Sequence, residues 1–257
     1  MTSKVIRTDD GSLTLRHPEV GEAYHSLDGA DSETRNKFIL PSRLSERLTH
    51  GPVNLLDVGF GLGLNCRSAL ACSGKYPLHI DSLEIEHQAL ERGLVVCPDD
   101  PLILSLLQSG TFESGRNRVQ LHLGDLRQTV KSLCQPYDLI FHDPFSPVRN
   151  SECWTVEIFA EMYRLLKPDG ALLTYSQSKM VRAALHEAGF ILHDTEVPAP
   201  HRGGTLACKQ GTGLEFDPAL PLRDPGLNAS GHEIRSQREA ALRREKEGTS
   251  TMHDRTL

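Results

Sequence analysis

Four carboxylates and three glycines hold the sequence's capacity for chemistry. Asp57, Glu84, Asp125 and Asp143 close apolar runs that read as successive strands, in VNLLDV, LHIDSLEIE, RVQLHLGD and PYDLIFHD. The first run leads through Asp57-x-Gly59-x-Gly61-x-Gly63 into a helical pattern from Leu64. Alternate glycines let the backbone turn tightly and approach a small molecule at a helix N-terminus. Glu84 follows the last glycine by about twenty residues, the distance at which a βαβ unit presents an acid to ribose hydroxyls. Each acid also has a plainer role open to it, as the N-cap of the next helix. Four of them at the ends of four consecutive strands point instead to one ligand-binding sheet edge.

These residues need elements to position them. Residues 4–20 alternate around an Asp-Gly turn and predict a short hairpin over a domain edge. Residues 21–51 carry a helix capped by Asp31 or Ser32 and broken or restarted at Pro41. From Val53 to Ala188 strands and helices alternate, which predicts an α/β fold with a mostly parallel, doubly wound sheet and a ligand at the strands' carboxyl ends. The last two strands, FILHDTEV and TLACKQ, have no helix between them, so an antiparallel hairpin is expected at the sheet edge. The expected division is an N-terminal hairpin and helical arm over 1–50, a main domain over 51–210 and a polar tail over 211–257.

Composition narrows the classes. The 257 residues are 38% hydrophobic and 24% charged, as in a globular domain, and no run approaches the ~20 apolar residues of a membrane helix. The start, MTSKVIRTDD, lacks the apolar core of an export signal. Six cysteines without a C-x-x-C pair read as reduced thiols, and the expected location is the cytoplasm. A net charge of -6 argues against a uniformly basic nucleic-acid coat, though not against a local basic patch. Arg202, Lys209 and the tail arginines Arg235, Arg238, Arg243 and Arg244 are candidates for phosphate contact. In the tail, Glu233, Glu239, Glu245 and Glu247 favour a solvated helix instead. His122 and His142 have no recognised ligand spacing, and no metal site is expected. Trp154, at helical spacing with Ile158 and Met162, is expected in the core.

The glycine spacing departs from the dinucleotide fingerprint, where Leu64 would have to be the third glycine. It resembles motif I of class I S-adenosylmethionine-dependent methyltransferases, whose Rossmann-like sheet ends in an antiparallel hairpin strand. The resemblance implies S-adenosylmethionine as cofactor, bound around Asp57, Gly59, Gly61, Gly63 and Asn65. It also implies Glu84 on the ribose and Asp125 near the adenine amino group.

Asp143-Pro144-Phe145-Ser146-Pro147, with Asn150 and Trp154-Thr155, narrows the likeness. With GEAYHSLDGADSETRNKF, VGFGLGLN and HRGGTLA, it resembles the methyltransferase domain of the enzymes that complete 5-methylaminomethyl-2-thiouridine at the tRNA wobble position. The likeness covers roughly residues 11–209, with an echo in RDPGLNAS. It implies methylation of the uridine's 5-aminomethyl group, with Asp143 orienting the amine and taking its proton, and Phe145 packing on the flipped base or the sulfonium. The implied partner is tRNA. Since no FAD fingerprint is present, the implied oxidase function either falls to a separate enzyme that supplies the aminomethyl uridine or is unnecessary. Two alternatives stand beside this reading: a transferase acting on a small-molecule amine, like the aminopropyltransferases, and a non-catalytic RNA-binding protein that keeps the fold. A basic funnel around Asp143 would favour tRNA, and a closed acidic pocket would favour a polyamine.

Overall fold

In the computed structural model, which describes residues 4–197, 202–215 and 219–224, the chain opens with a hairpin. Val5–Arg7 (β1) and Leu13–Leu15 (β2) pair antiparallel around the turn that contains Gly11. The helical stretch that follows consists of Ala30–Thr34 (α1), a π-helical turn at Arg35–Ile39 and Leu40–Ser42 (α2). Its cap comes from the hairpin rather than from Asp31 or Ser32. Asp10 Oδ2 accepts from Ser32 N at 2.9 Å, and Ser12 Oγ accepts from Ala30 N at 3.0 Å. Pro41 restarts the helix rather than breaking it: it stands in the first turn of α2, directly after the π-helical turn, where a proline is tolerated. The break comes at Arg43, which is left-handed at φ 54°, before Leu44–His50 (α3).

The main unit alternates strand and helix. In order these are Val53–Val58 (β3), Leu64–Leu70 (α4), Leu78–Glu84 (β4), His87–Val96 (α5), Pro101–Ser109 (α6), Thr111–Ser114 (β5) and Asn117–Leu123 (β6). Then follow Leu126–Ser132 (α7), Tyr137–His142 (β7), a 3-10 turn at Ser151–Trp154, Val156–Leu165 (α8) and Leu166–Thr174 (β8). Lys179–Glu187 (α9), Ile191–Asp194 (β9) and Thr205–Cys208 (β10) complete it.

Eight of these strands form one sheet in the order β5-β6-β4-β3-β7-β8-β10-β9. The five from β6 to β8 are mutually parallel. Both faces of the sheet are covered, and this is why its central strands are apolar at odd and even positions alike. On β3, Leu55 joins the core on one face and Leu56 the core on the other; on β7, Leu139 and Ile140 divide the same way.

Two details go beyond what was expected. β5 was not anticipated, since TFES is short and polar; it pairs antiparallel with β6 at the sheet's edge. The C-terminal hairpin forms, but β10 lies inside, antiparallel to both β8 and β9, so that β9 is the edge. The chain leaves β3 toward β4 and β6 on one side, and β7 and β8 lie on the other. This makes the β3/β7 border the topological switch point, where an open α/β sheet has its ligand crevice.

Candidate active site

The glycine turn lies over that border. Gly59, Gly61 and Gly63 all have positive φ, at 90°, 55° and 80°. Gly59 N and Phe60 N both donate to Leu83 O, at 3.0 and 3.1 Å, which folds the turn back onto β4. A Cβ on Gly59 would stand 2.9 Å from Asp143 O, and one on Gly61 3.3 Å from the Tyr24 ring. The absence of side chains therefore lets three segments converge. Gly61 N donates to Glu84 Oε2 at 2.9 Å, while Glu84 Oε1 accepts from Ile85 N and Glu86 N at 2.8 and 3.1 Å. Burial raises the pKa of Glu84 above the ordinary range despite these three donors.

These elements enclose a cavity of about 460 Å³, within the usual range for small-molecule sites. Of the expected residues, Gly59, Gly61, Asn65, Glu84, Asp125, Asp143 and Phe145 line it. Asp57 and Gly63 do not. Asp57 is fully buried beneath the turn, where its Oδ2 accepts from Ser82 Oγ at 2.7 Å and Cys66 Sγ at 3.2 Å. It ties β3, β4 and α4 together, and burial pushes its pKa up to about 6. Gly63 caps α4, and a Cβ there would meet the Phe60 ring at 2.8 Å, so its work is to close the turn.

Asp143 follows β7, with its backbone N–H on Val58 O at 2.9 Å and its carboxylate on Asn65 Nδ2 at 2.8 Å. Its pKa stands well above the ordinary value, chiefly through burial, with the Glu33 charge adding to the effect and the Asn65 hydrogen bond opposing it. The loop after it is clamped on three sides. Tyr175 Oη donates to Pro144 O at 3.1 Å, Trp154 Nε1 donates to Phe145 O at 2.8 Å, and Ser146 Oγ donates to Glu22 Oε1 at 2.6 Å. Trp154 is buried, edge-on to His142, as expected of a core residue.

Sequence reasoning missed one wall of the cavity. His17, Glu22, Tyr24, His25 and Glu33 from the N-terminal segment line it, as does Tyr175. The Phe145 ring packs against Tyr24 and His17 at 5.1 and 5.3 Å. Arg92 Nη1 on α5 holds this wall by donating to Tyr24 Oη at 3.0 Å and Glu86 Oε2 at 2.9 Å. The His17 hydrogen bond, with the Arg92 pair, lowers the Glu86 pKa to about 2. The one available signal was the GEAYHSLDGADSETRNKF block, which carries Glu22, Tyr24 and Glu33.

Asp125 both lines the cavity and caps α7, where its Oδ1 accepts from Arg127 N at 2.9 Å. His122 and His142 lie on β6 and β7, which β4 and β3 separate. His122 Nε2 pairs with Asp81 at 2.6 Å, and burial lowers the His142 pKa to about 3. Among the described residues no three His, Cys, Asp or Glu side chains are grouped to hold a metal. No described helix is long and apolar enough to cross a membrane. Lys209 lies over the Tyr163 ring at 4.5 Å, and neither it nor Arg202 lines the cavity; the four tail arginines lie outside the described residues.

A switch-point crevice with a glycine turn at one strand end and a carboxylate at the next defines a nucleoside-binding α/β protein. The profile of the S-adenosyl-L-methionine-dependent methyltransferase family matches residues 98–210. An uncharacterized protein of Methanocaldococcus jannaschii is 30% identical, with 94% of this chain and 72% of that protein covered. The tRNA 5-methylaminomethyl-2-thiouridine biosynthesis bifunctional protein MnmC of Pseudomonas putida is 30% identical over 72% of this chain, which spans 31% of that protein's length. The crystal structure of MNMC2 from Aquifex aeolicus superposes with a TM-score of 0.75 at 28% identity, over 95% of this chain and 86% of that one. The chain belongs to the S-adenosyl-L-methionine-dependent methyltransferases and is an enzyme with an MnmC-like methyltransferase domain.

S-adenosylmethionine is its cofactor, and the cavity fits it. Gly59 and Gly61 put bare backbone on the cavity wall, and Asn65 Oδ1, which is buried, has no hydrogen-bond partner. The cavity's carboxylates suit a ligand carrying a sulfonium and an ammonium.

Proposed function

We propose that the chain methylates the 5-aminomethyl group of tRNA wobble uridine, 2-thiolated or not, giving 5-methylaminomethyl uridine. The observation that carries this is the Asp143-Pro144-Phe145 loop, whose carboxylate and ring line the same cavity as the glycine turn. The relatives with MnmC names support the choice of acceptor.

Within this reading Gly59, Gly61, Asn65 and Glu84 hold the cofactor, with Asp125 at the adenine. The cofactor supplies an electrophilic methyl group on a sulfonium. Asp143 would hydrogen-bond the acceptor ammonium, take a proton from it and aim the freed lone pair at the methyl group, whose bond to sulfur breaks as the C–N bond forms, with a neutral thioether as leaving group. A raised pKa makes Asp143 a stronger base than an ordinary carboxylate. Phe145, backed by Tyr24 and His17, offers a ring face to the uracil. Such an acceptor fits an enzyme of the cytoplasm that works downstream of a reaction yielding the aminomethyl uridine.

One observation favours the second reading. The cavity that Asp143 lines also carries Glu22, Glu33 and Glu86 and, among the described residues, no lysine or arginine, which suits a small cationic amine as well. An aminomethyl uridine is itself such a cation at its reacting end, so the acidic lining serves both acceptors. The deciding experiment incubates the purified protein with labelled S-adenosylmethionine and, separately, tRNA lacking the final methyl and a polyamine. Label in the wobble nucleoside supports the proposal. Label only in the polyamine, or in neither, overturns it.

A further inference from the structure

Residues 219–224 lie against the main domain. Val156 N donates to Leu222 O at 2.9 Å, the Leu222 side chain packs on the core, and Asp224 N donates to Glu157 Oε2 at 3.1 Å. Arg223 pairs with Glu157 at 3.5 Å and with Glu187. At the end of this strap the Asp224 side chain is 0% exposed and faces Arg127, itself 3% exposed.

Arg127 joins two carboxylates. Its Nη1 donates to Asp224 Oδ1 and Oδ2 at 3.1 and 3.3 Å, while its Nε and Nη2 donate to Asp125 Oδ1 and Oδ2, both at 3.1 Å. A guanidinium is a rigid planar fork, so fixing one edge fixes the other. Burying these charges gives little net stability, and what such a cluster supplies best is a fixed geometry. The fixed group here is Asp125, the one carboxylate of the three residues that lines the cavity.

We infer that Asp224 is a positioning residue for the cofactor's base: through Arg127 it holds the Asp125 carboxylate where it meets the adenine amino group. The inference rests on the reading of Asp125 given under the proposed function. Without Asp224 the guanidinium turns toward a new partner and Asp125 loses its second anchor. The site then keeps its shape but discriminates less between purine nucleosides.

The test is calorimetric binding of S-adenosylhomocysteine and of its inosine counterpart, whose exocyclic amino group is replaced by oxygen. The wild type is expected to prefer the adenine form by about tenfold, the scale of a charge-assisted hydrogen bond. Asp224→Asn is expected to weaken the adenine form by nearly that factor, leave the inosine form within about twofold, and so erase the preference. Arg127→Lys keeps the charge without the fork and is expected to do the same; it decides the matter if Asp224→Asn fails to fold. Equal weakening of both ligands, or a preserved preference, overturns the inference. Asp125→Asn separates the two readings. If it leaves the preference intact, the assignment of Asp125 fails; if it erases the preference while Asp224→Asn does not, the role of Asp224 alone fails.

Discussion

Asn65 Nδ2 donates to Asp143 Oδ2 at 2.8 Å, joining the first turn of α4 to the end of β7 beside the cavity. The amide favours the ionised carboxylate, against burial and the Glu33 charge that favour the protonated one. Asn65→Ala is therefore expected to raise the Asp143 pKa further and shift the rising limb of the pH–rate profile to higher pH. The side chain's unpartnered Oδ1 is lost as well, and cofactor affinity is expected to fall about threefold to tenfold. Methyl transfer at saturating cofactor and calorimetric titration read the two effects.

Glu33 pushes the other way. Its carboxylate lies in the same cavity, with Lys37 Nζ at 3.4 Å offsetting part of its charge, and Asp57 adds a further negative charge from below. In Glu33→Gln the Asp143 pKa is expected to fall, so activity rises at lower pH than in the wild type. An unmoved limb in the pH–rate profile would show that Glu33 does not act on Asp143.

The glycine turn and Asp143 are expected to fail differently. Gly61→Val places a β-branched residue at φ 55°, at a cost of about 1–2 kcal/mol for the backbone alone, with its Cβ 3.3 Å from the Tyr24 ring. Binding of S-adenosylmethionine should be lost. Asp143→Ala should retain that binding and lose transfer by a factor of about 10²–10⁴, the usual contribution of a positioned base. Equal loss of binding in the two variants would refute the division.

Asp57 gives a stability test. Its folded pKa of about 6 lies above the ordinary aspartate value of about 4, so its contribution is full below about pH 4 and declines as pH rises through 6. Asp57→Asn keeps an acceptor for Ser82 and Cys66 but cannot ionise. Its melting temperature relative to the wild type is expected to improve between pH 4 and 7. A difference that stays constant across that range would place the titrating group elsewhere.

The helix over residues 30–42 shows where a local rule stops short. Asp31 and Ser32 have the right chemistry for a cap, yet Asp10 and Ser12 act instead, because folding the hairpin brings them within hydrogen-bond distance. Asp57 and Glu84 tell the same story at the site. Both end strands in the same pattern, but one lies under the turn on Ser82 and Cys66, while the other lines the cavity. Strand periodicity places a residue along the sheet; it does not say on which side of the next loop its carboxylate emerges.

Features set by neighbours in the chain were legible beforehand. The apolar runs, the alternate glycines and the acids at the ends of β3 and β4 and just beyond β6 and β7 are local patterns, and right-handed crossovers leave few ways to assemble them. The wall built from Tyr24 and Glu33, the Tyr175 bond to Pro144 and the chain from Asp224 through Arg127 to Asp125 were not. Apart from the Arg127–Asp125 pair, those contacts join residues far apart in the chain, and their partners are chosen by packing and by the pairing of buried charges. Periodicity carries no trace of either, so where the cofactor turn lies could be read from the residues, and what surrounds the acceptor required the folded chain.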